Sequence, residues 1–77
     1  MKIEVTQGGN ILLKEVFNSV LFETVEGQKI AVCMRDGGFE IGITDLAAKP
    51  GAQLHWYRAM DGAIVQLMGD TCQTRTE

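Results

Sequence analysis

Between Val20 and Thr44 the chain runs through three stretches of β-branched and aromatic residues, separated by Glu26-Gly27-Gln28 and Asp36-Gly37-Gly38. This punctuation constrains the fold more than any other feature. Such runs, roughly 4 to 8 residues long and bounded by Gly and Asp, read as strands, and three in succession read as an antiparallel meander. In the last run Phe39, Ile41 and Ile43 alternate with Glu40, Gly42 and Thr44, a period of two that puts the apolar set on one face of a sheet. Ile30, Val32 and Met34 alternate in the same way with Lys29, Ala31, Cys33 and Arg35. Cys33 is therefore expected to point away from the main apolar row.

The flanks carry weaker versions of the same pattern. Leu54 to Met60 and Ala63 to Met68 surround Asp61-Gly62, a dipeptide suited to a type I′ turn, and predict a second hairpin. At the N-terminus Ile3 and Val5 alternate with Lys2, Glu4 and Thr6, and Gly8-Gly9-Asn10 leads into Ile11 to Phe17, which reads as a further hairpin. For residues 10–22 a helix is the alternative, because Asn10 could cap it and Ile11, Leu12, Glu15 and Val16 roughly fit helical spacing. Strands are preferred there, since Val16, Phe17, Val20 and Phe22 favour them and Asn18-Ser19 reads as a turn or bulge. Between Thr44 and Gln53 a single helical turn is expected before Pro50-Gly51 stops it. The polar, Thr-rich residues 70–77 are expected to form a flexible tail.

The predicted architecture is thus mostly β: one domain over residues 1–69, built as a single small antiparallel sheet or a partly open barrel of five to seven short strands. The alternative is an α+β unit with one helix near 10–22. A chain of 77 residues buries only about 60 to 65% of its unfolded surface, so its core is thin and self-association is an expected remedy. Closing the sheet or pairing its edge with a second copy are the two ways to hide unpaired strand edges.

Composition excludes several functions. No apolar run approaches the roughly 20 residues that span a bilayer. The start, Met1-Lys2-Ile3-Glu4-Val5, lacks the apolar core of a secretory leader. A chain that begins at or just after Met1 and stays in the cytoplasm is the expectation. Its seven Lys and Arg residues are scattered singly against ten Asp and Glu, for a net charge of −3, which disfavours a phosphate-tracking nucleic-acid groove. Two cysteines, Cys33 and Cys72, do not make a disulfide framework and are read as free thiols, with a single disulfide joining the tail to a central strand as the alternative.

No motif supplies catalysis, a metal site or a cofactor site. Cys33 and His55 form at most a generic nucleophile and base pair with no flanking signature. Three Cys and His residues without short spacing cannot build a zinc site. Asp36 and Asp61 precede glycine, while Asp45 and Asp70 fall in expected loops, so all four read as turn residues. Gly8-Gly9 and Gly37-Gly38 lack the Lys-Ser/Thr of a phosphate-binding loop. No metal, no cofactor and no enzymatic activity are therefore expected.

His55-Trp56-Tyr57-Arg58 is the most informative tetrapeptide, holding the only His, Trp and Tyr beside an Arg. Trp, Tyr and Arg are enriched at binding hot spots. On a strand, Trp56 and Arg58 share one face and His55 and Tyr57 the other. The plain reading makes Trp56 a core anchor with Arg58 at its rim; the functional one makes the four residues a partner-binding patch. The expected function is a non-enzymatic protein-binding or regulatory module acting as a homo-oligomer, of a size and style that fit a phage or mobile-element inhibitor of a host complex. One alternative is a small barrel whose Phe39, Trp56 and Tyr57 stack on single-stranded nucleic acid. The other is a ligand or catalytic pocket formed between subunits.

Overall fold

The computed structural model describes residues 1–45, 51–69 and 71–76. Within them lie eight strands: β1 (Lys2–Gln7), β2 (Asn10–Glu15), β3 (Val20–Glu23), β4 (Lys29–Arg35), β5 (Gly38–Ile43), β6 (His55–Met60), β7 (Ala63–Met68) and β8 (Thr71–Thr76). They form two four-stranded sheets, ordered β2-β1-β7-β8 and β3-β4-β5-β6. Alternation explains the layering. Ile3, Val5, Ala63, Val65 and Leu67 of the first sheet are buried in one cluster with Ile30, Val32, Phe39, Ile41, Ile43 and Ala59 of the second, and Val16 joins them from the link between the sheets. Facing sheets pack about 10 Å apart, in keeping with a shortest dimension of 17 Å. Each fully buried Ile or Phe contributes roughly 1.5–3 kcal/mol relative to exposure.

The meander is β3-β4-β5, in unbroken antiparallel register with Leu21 opposite Ala31, Val32 opposite Ile41 and Met34 opposite Phe39. Its second turn places Asp36 at φ 50° and Gly37 at φ 75°. Two consecutive positive φ values are the type I′ geometry, whose twist matches that of the flanking strands. The N-terminal hairpin also forms, as β1 and β2, with register shifts between Lys2 and Thr6.

The second predicted hairpin does not form. Both strands are present, but β6 pairs with β5 along its whole length, from Gly38 opposite Met60 to Ile43 opposite His55, and β7 lies in the other sheet between β1 and β8. Asp61-Gly62 is a corner between layers. Only Gly62, at φ 87°, is in the positive region there, whereas a type I′ turn needs both central residues in it. Strand β1 holds the corner: the Lys2 N–H donates to Asp61 Oδ1 at 2.6 Å, and the Gly62 N–H donates to the Lys2 carbonyl at 2.7 Å.

The all-β class holds, but as two sheets of four strands in place of a single sheet or partly open barrel of five to seven. Nor is the pairing wholly antiparallel: β1 and β7 run parallel, with Val5 opposite Val65. Parallel neighbours need a long crossover, and here the whole second sheet supplies it. The helical alternative for 10–22 is replaced by β2, a bend at Phe17 and Asn18, and β3. That bend carries the chain between layers while Val16 stays buried. Thr71–Thr76, expected within a tail, is β8, with Cys72 opposite Leu67; Thr has high strand propensity, and a polar run reads as a tail only until its partner is known. The helical turn expected before Pro50 falls on residues 46–50, outside the described residues.

One polar side chain is built into the core. Gln28 is fully buried, and its Nε2 donates to the carbonyls of Thr44 at 3.1 Å and Gly69 at 2.7 Å. Thr44 follows β5 and Gly69 follows β7, so this amide ties one sheet to the other. Around it the Gln28 N–H donates to Thr24 Oγ1 at 3.2 Å and the Lys29 N–H to Thr44 Oγ1 at 2.9 Å. Gln28 Oε1 has no partner among the described residues.

Candidate protein-contact surface

Strand β6 carries the tetrapeptide singled out in the sequence, and its alternation is as expected. Tyr57, opposite Ile41, turns inward and packs against the core. Trp56 lies on the outer face, 52% exposed, which overturns the reading of Trp56 as a core anchor; the ring that serves the core is Tyr57. The reason is register, because β5 presents Phe39, Ile41 and Ile43 inward and so commits the odd-numbered residues of β6 to the same side.

Trp56 is nevertheless well placed. Its cross-strand neighbour is Gly42, and a Cβ on Gly42 would meet the indole ring at 3.0 Å, so the ring lies over the β5 backbone where only glycine leaves room. Arg58 behaves similarly. A Cβ on Gly38 would meet its guanidinium at 3.0 Å, and its Nη2 donates to the Asp36 carbonyl at 3.2 Å. Both long side chains therefore lean from β6 across β5, away from the outer edge of the sheet.

The outer face around them is mixed. Leu21, Ala31, Gly42 and Trp56 stand directly opposite one another in turn and form an apolar row across all four strands. Leu21 is 67% exposed and Met60, opposite Gly38, 57%. Beside the row, Arg35 Nη1 lies 3.5 Å from Glu40 Oε2. Tryptophan, methionine and arginine on a rigid sheet, next to small residues that keep the floor flat, have the composition of a protein-contact core. His55, at the start of β6, sits 2.8 Å from Asp45 through its Nε2, with both side chains more than half exposed; it caps the end of the strand and is not part of the row.

The other candidate chemistries do not assemble. Cys33 lies on the outer face of β4 opposite Glu40, whereas His55 is opposite Ile43 on the inner side, so the sheet separates them. Cys72 is in the other sheet, half-buried against the core, and burial pushes its thiol pKa up. Both cysteines are free. Among the described residues no group of His, Cys, Asp and Glu is placed to hold a metal ion. Phe39 is fully buried, so of the three aromatics proposed to stack on bases only Trp56 is on the outside. A cleft of about 250 Å³ lies beside the shifted β1/β2 register, lined by Lys2, Glu4, Lys14 and Glu15 among others, smaller than the ~300–1,000 Å³ of ordinary ligand pockets.

The sequence alone does not single out Leu21, Ala31, Gly42 and Met60 as members of this face. Their signal was present as alternation, but knowing that they meet Trp56 requires the strand register. No described helix is long and apolar enough to cross a membrane. Comparison with known protein families, characterised proteins and solved structures finds no match to this chain.

Proposed function

We propose that this chain is a non-enzymatic protein-binding module whose contact surface is the outer face of the second sheet, centred on Trp56. The observation that carries the reading is the half-exposed indole held over Gly42. A large ring already fixed in place loses little conformational freedom when a partner covers it. Arg58, Met60 and Leu21 supply the polar handle and apolar flank of such a contact. Free thiols at Cys33 and Cys72 fit work in the reducing cytoplasm.

Site-specific photo-cross-linking in the producing cell tests this, with the photoreactive residue at Trp56 and, as control, at Gln66, exposed in the other sheet. Discrete protein adducts are expected from position 56 and none from position 66. The purified partner should then bind wild type and lose at least ten-fold affinity for Trp56→Ala, a loss of about 1.4 kcal/mol, with the melting temperature nearly unchanged. Equal adducts from both faces, or undiminished binding by the alanine variant, would refute the proposal.

A further inference from the structure

The strands of the second sheet send five charged side chains to its outer face: Glu23, Lys29, Arg35, Glu40 and Arg58. Four of them are matched. Glu23 stands directly opposite Lys29, and Arg35 Nη1 lies 3.5 Å from Glu40 Oε2. Arg58 is the remainder. Glu40 is its cross-strand neighbour, yet no carboxylate among the described residues comes within ion-pair distance of its guanidinium. The group rests on main chain instead, with Nη2 donating to the Asp36 carbonyl at 3.2 Å above Gly38. A carbonyl holds a guanidinium in place without cancelling its charge.

Position gives that charge a consequence. Arg58 lies between Trp56 and Met60 on β6 and shares their face, so the half-exposed indole and thioether form apolar ground on either side of it. Any partner that covers Trp56 also takes water away from Arg58. Truncating the anion of a desolvated pair leaves the cation buried and unpaired, which costs several kcal/mol in protein contacts. Conversely, the planar N–H fork of an arginine matches a carboxylate, and a fork already anchored through one nitrogen loses less freedom when it takes up a second partner.

We infer that the segment covering this face is acidic: an unmodified stretch of protein that sets an Asp or Glu carboxylate on Arg58 and an adjoining apolar side chain on Trp56. The inference rests on the reading of this face as a protein contact and names the chemistry of what covers it. A basic segment is repelled by Arg58, and a neutral apolar one desolvates it with nothing in return. Nucleic acid is disfavoured, because a phosphate backbone draws its affinity from several free cations in series. Here Lys29 and Arg35 already face Glu23 and Glu40, in a chain of net charge −3.

The test is a displayed library of random peptides panned against the wild-type chain, with the enriched peptides then titrated against wild type, Arg58→Gln, Arg58→Lys and Trp56→Ala. Enriched sequences are expected to carry Asp or Glu beside an apolar residue, and their affinity to fall with added salt. It should fall about ten-fold with Arg58→Gln, and equally when the peptide's own acid is changed to its amide. The two changes together should cost no more than either alone, and Arg58→Lys should recover part of the loss. The peptide-side change leaves the protein untouched, so a folding defect in the Arg58 variants cannot imitate this pattern. Peptides with no acidic preference that still need Trp56 overturn the inference and leave the contact face standing. Peptides indifferent to both Trp56 and Arg58 count against both readings. A library that enriches nothing overturns the inference, with the cross-linking at position 56 deciding the face. Oligothymidylate or oligouridylate, titrated in parallel, overturns it too if it binds through Arg58 where no peptide does.

Discussion

Replacing Gln28 tests whether the two sheets are tied together by a buried amide. Its Nε2 donates to the Thr44 and Gly69 carbonyls at 3.1 and 2.7 Å, while Oε1 has no partner among the described residues. Gln28→Met keeps the volume and removes both donors. Two hydrogen bonds at about 1 kcal/mol each, partly offset by relief of the unpartnered oxygen, predict a loss of about 1–2 kcal/mol. In a domain of this size that lowers the melting temperature by roughly 5–15 °C. Gln28→Glu is more severe, because a carboxylate would face two carbonyl oxygens in a buried site, and uncompensated buried charge costs about 3–5 kcal/mol. Burial and those oxygens hold the introduced carboxyl above its unfolded pKa of about 4.3. For an acid whose folded pKa is raised, stability is retained below the unfolded value and lost as pH rises above it, by up to about 1.4 kcal/mol per pH unit. Urea unfolding followed by circular dichroism at pH 5 and pH 7 separates the variants. The methionine form should show the wild-type pH dependence and the glutamate form should weaken sharply towards pH 7. A glutamate variant with wild-type pH dependence, or one no less stable at pH 7 than the methionine variant, would refute the reasoning.

Gly62→Ala forces a side chain onto a residue at φ 87° and is expected to cost about 1–2 kcal/mol in denaturant unfolding. Gly42→Ala brings a Cβ to 3.0 Å from the Trp56 ring; the ring lifts, and the emission of this single tryptophan should shift to the red with increased iodide quenching. Cys72, its thiol pKa raised by burial from the model-compound value of 9.0, should alkylate several-fold more slowly in the native chain than in urea. The sign for stability is the same as for any acid with a raised folded pKa: the Cys72 contribution is complete below about pH 9 and declines as pH climbs past it, which unfolding curves between pH 8 and 10 would register.

The contact face was half legible. The alternation of His55 to Arg58 told which residues share a side, but not which side meets the core, because a four-residue window of Trp, Tyr, His and Arg has no apolar bias to choose with. The choice was made by β5, whose Phe39, Ile41 and Ile43 fill the interior and leave Gly42 outside to receive the indole. The companions Leu21 and Ala31 lie 35 and 25 positions away from Trp56 in sequence, and only the register of β3, β4, β5 and β6 brings them into one row.

The meander from Val20 to Thr44, the outward direction of Cys33 and the all-β class were determined by the sequence itself, since period-two burial and positive-φ turn residues are local properties that any neighbouring strand must respect. The tertiary structure decided everything that depends on which strands become neighbours. Asp61-Gly62 became a corner because β6 found a better partner in β5 and β7 one in β1. The Thr-rich end became β8 because β7 offered it an edge. Gln28, an unremarkable turn residue by position, became the tie between layers. Alternation specifies the face a residue belongs to, but a strand's hydrogen-bonding edges carry no side-chain code, so pairing across the two layers is settled only when the whole core closes.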